Sequence, residues 1–171
     1  MAHSYAPLYS IVAREGGSSK IVAGLPGGDP GPFERLVQSL QAPYILLYVL
    51  HTPRGEAKAG RYQSPSLSNA DFHDFMVTFG PYLSADARFD LWAYSPAEKA
   101  TVVWDRHNQL FAYGPVDTLA TELRSLGFSE GLTDVSFAHL HHYRPECDAQ
   151  AAALLEAFDW SFSELQKADE Q

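Results

Sequence analysis

Two different periods of hydrophobic residues run along the chain, and together they predict both strands and helices. The runs Leu8–Ala13 and Lys20–Ala23 are rich in β-branched residues and flank a turn with two glycines, which predicts a β-hairpin. Tyr44–Leu50 is apolar on both faces, which predicts a central strand covered by helices on both sides. Four further runs predict an antiparallel meander and one later strand: Phe89–Tyr94, Thr101–Trp104, Leu110–Tyr113 and Val135–His141.

Apolar residues spaced three and four positions apart predict helices between these strands. Ser68 and Asp71 have the spacing of a capping box at the start of one helix, and Gly80-Pro81 should end it. Gly127 suits the left-handed residue that ends another helix, and Ser161–Glu164 predicts the start of a last one. The apolar helix positions are Phe33, Leu36, Val37 and Leu40; Phe72, Phe75, Met76 and Phe79; Leu119, Leu123 and Leu126; and a run over Ala149–Phe158.

These elements predict a single α+β domain over residues 1–171, with a mixed, largely antiparallel sheet and helices packed on it. The order β-β-α-β-α occurs twice, over residues 8–83 and 100–168, which suggests an internal repeat. Leu50–Glu56 and Leu140–Glu146 share the pattern L-H-x-x-R-x-E at the end of a predicted strand. Chance similarity explains so short a match equally well.

Composition narrows the classes of function. The net charge of −9 argues against a nucleic-acid-binding protein, and the acids concentrate after Pro145, where they favour a basic protein as one kind of partner. The first residues have neither a basic stretch nor an apolar run, so we expect no signal peptide, and no apolar run is long enough for a membrane span. With one cysteine and therefore no internal disulfide, we expect a cytoplasmic protein.

The stretch Phe137–Asp148 concentrates residues that bind metals or react. His139 and His141 are two positions apart on a predicted strand, so both side chains leave the same face, as in many zinc sites. The sequence does not specify a third ligand, so structural histidines are the other interpretation. Cys147 in the first turn of a helix suits a nucleophile, but its acidic neighbours Glu146 and Asp148 oppose thiolate formation.

A second set of candidates follows the strand Tyr44–Leu50. This loop is basic in an otherwise acidic chain, and ligands of α/β sheets gather beyond the carboxyl ends of strands. Arginine side chains suit carboxylate or phosphate groups, so we expect an anion to bind where the two L-H-x-x-R-x-E segments end. The predicted ligand-binding residues are His51, Arg54, Arg61, His139, His141, Arg144 and Glu146.

Two classes of function remain open on the sequence alone. No complete catalytic constellation occurs, which favours a non-enzymatic binding or regulatory module for a small anionic molecule or a protein partner, including an inhibitor of a basic protein. The alternative is a small hydrolase or transferase. In that enzyme His139 or His141 would act as a general base or metal ligand, Glu146 as its acid/base partner, and Arg54 and Arg144 as anion clamps.

Overall fold

Nine strands form one mixed sheet in the computed structural model, which describes residues 4–133 and 141–169. The strand order is β8-β1-β2-β7-β6-β5-β3-β4-β9, and every pair is antiparallel except the parallel pair β1–β8. The strands are β1 (Leu8–Ala13), β2 (Ser19–Gly24), β3 (Ile45–Leu50), β4 (Gly60–Gln63), β5 (Phe89–Ser95), β6 (Ala100–Trp104), β7 (Gln109–Tyr113), β8 (Ser129–Glu130) and β9 (Ser161–Ser163); the helices are α1 (Gly31–Gln38), α2 (Asn69–Ala85), α3 (Val116–Ser125) and α4 (Asp148–Glu156).

The described helices pack on one face of this sheet. The hydrophobic core takes alternate residues from each central strand, for example Leu91 from β5, Val102 from β6 and Ala112 from β7, and joins them to apolar residues of α1 to α4. Because strand side chains alternate between faces, the residues between these point to the opposite, helix-free face. The predicted α+β class is therefore confirmed, with a one-sided arrangement of its layers.

That arrangement contradicts the expectation that helices cover both faces of β3. On the helix-free face Val49 is fully buried although no described helix packs there. Its neighbours across the sheet are Arg61 on β4 and Asp90 on β5. Long polar side chains with apolar stems can bury a valine as a helix would, so an apolar run on two faces does not require two layers of helices.

Two predicted helix ends can be compared with the structure. Gly127 has a φ of 88°, and the amide of Phe128 donates to the carbonyl of Leu123 at 3.0 Å, which confirms the predicted end of α3. The predicted end of α2 near Pro81 was wrong, because the helix continues to Ala85. Tyr82 and Leu83 are buried in the core, and their packing stabilises the last turn despite the missing amide of the proline.

Two short strands near one end of the sheet, β4 and β9, also differ from the prediction. The residues Ser161–Ser163 form the strand β9, whereas the sequence predicted the start of a helix there. The segment after β3, which the sequence predicted to be a loop, contains the strand β4. In both cases pairing with a neighbouring strand fixes the backbone: Tyr62 on β4 lies opposite Phe162 on β9, and their rings are 5.3 Å apart.

The predicted internal repeat is not shown by the structure. Each proposed half contains an antiparallel hairpin followed by a helix, β1–β2–α1 and β6–β7–α3. However, β5 lies between β6 and β3 in the sheet, and most of the predicted strand Val135–His141 lies outside the described residues. No helix in the described part of the chain has the length and apolar character that crossing a bilayer requires.

The start of α2 provides a test of the local sequence signal. The amide of Asp71 donates to Ser68 Oγ at 3.1 Å, and the amide of Ser68 donates to the Asp71 carboxylate at 3.0 Å, so the predicted capping box is present. We expect Ser68→Ala to lower the free energy of unfolding by about 1 kcal/mol, because an amide loses its acceptor. Urea denaturation measures this, with the exposed Ser66→Ala as the matched control. Equal stability of the two variants would contradict the role of the cap.

Candidate functional site

A small cleft lies on the helix-free face of the sheet. Its floor comes from the meander β5–β6–β7, because Trp92 pairs with Val103 and Val103 pairs with Phe111, which places all three side chains in one row. The turn between β6 and β7 forms one wall, and the 3-10 turn Lys167–Asp169 forms another. The lining residues are Asp90, Trp92, Val103, Asp105, Arg106, His107, Phe111, Tyr113, Ala168 and Asp169.

Cationic side chains lie over aromatic rings on this face. The Arg14 guanidinium is 4.9 Å from the ring centre of Tyr113, and the Lys20 ammonium is 5.1 Å from that of Phe111. The Arg61 guanidinium is 5.9 Å from the ring of Trp92. Such contacts hold positive charge in place against the quadrupole of the ring. A protein with a net charge of −9 therefore presents a group of cations beside one aromatic cleft.

Two carboxylate–histidine pairs lie at the end of the cleft formed by the β6–β7 turn. His51 Nε2 is 2.7 Å from Asp90 Oδ2, and His107 Nδ1 is 2.8 Å from Asp105 Oδ2. The other oxygen of Asp90 accepts the backbone amide of Arg106 at 2.8 Å, which ties the turn to β5. A carboxylate that binds one ring nitrogen fixes the orientation of the imidazole.

Two buried polar atoms without a hydrogen-bond partner among the described residues belong to residues that line this cleft. They are the indole nitrogen Nε1 of Trp92, a donor, and the Oδ1 oxygen of Asp169, an acceptor. The indoles of Trp104 and Trp160, by contrast, each donate at 3.1 Å, to Asn108 Oδ1 and to the carbonyl of Leu154. A buried unpaired polar group costs about 1–3 kcal/mol, so two in one cleft mark it as a place where a ligand atom fits.

The two segments predicted to bind an anion both contact the buried Arg88, which belongs to neither of them. The buried Arg88 donates to Asp86 at 2.8 Å and 2.9 Å, to Glu56 at 3.1 Å and to Asp148 at 2.9 Å. Burial acts to lower the pKa of Arg88, but the hydrogen bonds to these carboxylates outweigh it and raise that pKa above its ordinary value. Arg54 is also bound, at 3.0 Å, to Asp148.

The other residues predicted to bind an anion lie partly near the Arg88 network and partly near the cleft. Arg144 is exposed, and its backbone carbonyl accepts from Arg88 at 3.1 Å. Glu146 is exposed, and His51 belongs to the carboxylate–histidine pair with Asp90. Arg61 lies on the helix-free face next to the cleft. Anion binding by the strand ends themselves stays a prediction.

The predicted zinc pair is described only in part, because His139 lies outside the described residues. The ring of His141 is 5.0 Å from that of His107 and stacks at 6.1 Å on Tyr143. Among the described residues no group of three side chains is arranged to hold a metal ion, so zinc stays a prediction. Burial, followed by the charge of Asp86, raises the pKa of the Cys147 thiol, which makes it a poor nucleophile.

Most of the residues that line the cleft were not predicted from the sequence as site residues. Asp90 inside a strand was the available signal, since an acid in an apolar strand usually has a partner or a function. The run Asp105–Asn108 is predicted chiefly as a turn and with less weight as part of a site; it forms the turn between β6 and β7, and three of its residues line the cleft. Asp169 gave no signal, because nothing local shows that it lies against β4 and β5.

Comparison with known proteins gives no match for this chain among protein-family models, curated proteins or solved structures.

The stability of the network around Arg88 can be tested with two arginines, because Arg88 and Arg54 both bind Asp148 but differ in burial. The Arg88 side chain is fully buried, whereas that of Arg54 is 34% exposed. Arg88→Met should lower the free energy of unfolding by about 3–5 kcal/mol, because buried carboxylates lose their counter-ion. Arg54→Met, the matched control, should cost about 1 kcal/mol or less. Similar losses for both variants in urea denaturation would show that the buried guanidinium does not hold this region together.

The same network predicts how stability depends on pH. Burial acts to raise the pKa of Asp148, but hydrogen bonds from Arg88 and Arg54 outweigh it and leave that pKa below the ordinary 3.8. The ionised carboxylate thus stabilises the fold above pH 3.8, and this contribution is lost as the pH falls through the lower pKa of the folded state. The difference in unfolding free energy between the wild type and Asp148→Asn should narrow below pH 3.8. A constant or widening difference in urea denaturation across that range would contradict the assignment.

Proposed function

We propose that this protein is a non-enzymatic binding module that takes a small anionic ligand into the cleft on its helix-free face. The observation that carries the proposal is the buried indole N–H of Trp92, which has no acceptor among the described residues and belongs to a residue that lines the cleft. The Arg61 guanidinium is 5.9 Å from the centre of the Trp92 ring, so an oxyanion that reached both groups would receive a neutral and a charged hydrogen bond.

The small size of the cleft favours a small ligand over a protein partner. A stable protein interface would need about 800 Å² on each partner, far more than such a cleft offers. The aromatic floor adds apolar contact, and the cations Arg14 and Lys20 lie over two of the floor rings.

A second function is favoured by the carboxylate–histidine pairs. His107, oriented by Asp105, has the geometry of a general base, and it lines the same cleft. A hydrolase or transferase would use this imidazole to activate water or a substrate hydroxyl. With a ligand identified, His107→Asn would abolish turnover by an enzyme but leave ligand affinity within a few fold.

The compartment proposed for this activity is the cytoplasm. The support for it is that the single cysteine, Cys147, is buried and forms no disulfide within the chain.

The three tryptophans provide a direct test of the proposal. In a ¹⁵N-labelled sample each indole N–H gives one resonance, and Trp92→Phe assigns the signal of Trp92. Titration with sodium benzoate or inorganic phosphate should shift the Trp92 signal saturably, because an acceptor reaches its N–H. The signals of Trp104 and Trp160 should stay fixed, since both donors already have partners. Benzamide, which has the shape of benzoate but no charge, should bind far more weakly.

Two arginine variants separate this site from general attraction of anions. Arg61→Gln should weaken anion binding by roughly tenfold or more, the worth of one charge-assisted hydrogen bond. Arg35→Gln removes the same charge from α1, where Arg35 binds Glu122 on the helix side, and should leave the affinity unchanged. The proposal fails if neither anion selectively shifts the Trp92 signal, or if the two variants bind equally.

A further inference from the structure

We propose that the cleft contains a carboxylate subsite at Arg61 and Trp92, and that the chain's own Asp169 side chain occupies its charged part. Asp169 comes from the turn Lys167–Asp169, which follows β9 and lies against the helix-free face. Its side chain is only 1% exposed, and Oδ1 is 3.4 Å from Arg61 Nη1. This inference rests on the proposed function, and it specifies the ligand as a carboxylate that displaces Asp169.

The contact between Asp169 and Arg61 is much looser than a normal charge-assisted hydrogen bond. Such bonds between a guanidinium and a carboxylate are about 2.7–2.9 Å long and are often paired. Here Oδ1 makes no hydrogen bond to any described residue, although it is buried. The other oxygen, Oδ2, accepts the amide of Gln166 at 2.7 Å, so the local turn limits how closely Asp169 approaches the arginine.

A free carboxylate can make the hydrogen bonds to Arg61 and Trp92 that Asp169 does not make. It has no backbone turn to hold it back, so it can meet the Arg61 guanidinium at full hydrogen-bond distance. The Arg61 guanidinium is 5.9 Å from the centre of the Trp92 ring, and the buried Trp92 N–H, which has no acceptor among the described residues, would donate to the second oxygen once Asp169 is displaced. The floor of Trp92, Phe111 and Tyr113 then suits a flat or aromatic body attached to the carboxylate.

Benzoate is the probe for the test, with affinity measured from the Trp92 indole signal and by calorimetry. An internal group that fills a site nine-tenths of the time weakens the apparent affinity for an external ligand about tenfold. Asp169→Asn keeps the shape of the side chain but removes its charge, so we expect it to tighten benzoate binding about tenfold or more. The affinity for benzamide should be the same in the variant and the wild type, because benzamide carries no charge that Arg61 could bind.

Glu164→Gln is the matched control. It removes one negative charge from the same segment, but Glu164 is 69% exposed and binds Lys58 away from the cleft. Benzoate affinity should therefore equal that of the wild type. A gain of the same size in both variants would show a general effect of charge and would overturn the inference.

The remaining outcomes separate this inference from the proposed function. If benzoate binds the wild type and Asp169→Asn equally, or binds the variant more weakly, the displacement is wrong while the binding module stands. If Asp169→Asn raises the affinity for phosphate but not the affinity for benzoate, the assignment of the ligand as a carboxylate is wrong. If neither anion binds either protein, both proposals fail.

Folding of the variant is checked in the same spectra, because the indole signals of Trp104 and Trp160 depend on hydrogen bonds in the folded chain. Should Asp169→Asn not fold, Asp169→Ser keeps an oxygen on the same side chain for the amide of Gln166. The same tightening is expected for that variant, and unchanged affinity would count against the inference.

Discussion

A single buried guanidinium, that of Arg88, joins parts of the chain that are far apart in sequence. It binds the acid that precedes β5, Asp86, the acid of the loop after β3, Glu56, and the acid that begins α4, Asp148. The backbone amide of Arg144 also donates to Asp86 at 2.8 Å. Because a buried charge must be matched by its neighbours, each of these segments has one position in which the network is satisfied. The network therefore fixes the loops at one end of the sheet.

This arrangement explains why the basic residues after β3 are less available than their number suggests. Arg54 shares Asp148 with Arg88, and Lys58 binds Glu164. Arg61, three residues after Lys58 and within β4, instead lies against the Trp92 ring and the loosely held carboxylate of Asp169. Basic residues close together in sequence therefore have different surroundings, because Arg61 belongs to a strand that the sequence did not predict.

The sequence predicted the parts of the fold that depend on neighbouring residues. The hairpin, the meander and the caps of α2 and α3 are local, and the apolar runs of β5, β6 and β7 are strong enough to define strands. The short strands β4 and β9 are defined by their partners, since neither has a run of apolar residues. The one-sided packing of the helices was also beyond sequence patterns, because Val49 is apolar in either arrangement.

For the candidate site, the limits of sequence reasoning have a similar cause. His51, Arg61 and His141 were recognised by residue type and lie near the cleft, but the partners that give them their surroundings come from distant positions. Asp90 binds His51 across 39 positions of the chain. Asp169 lies over a hundred residues after Arg61, and only tertiary structure brings the two together. Patterns of spacing identify faces of elements, whereas a cleft is formed by the contacts between them.

The two ends of the sheet have a consequence for how the protein behaves at high concentration. A sheet of nine strands would normally expose long rows of unpaired amides and carbonyls at its edges, where other chains add as further strands. Here the outermost strands are β8, with two residues, and β9, with three. Strands this short offer few free amides and carbonyls, so the addition of another chain along β8 or β9 is disfavoured.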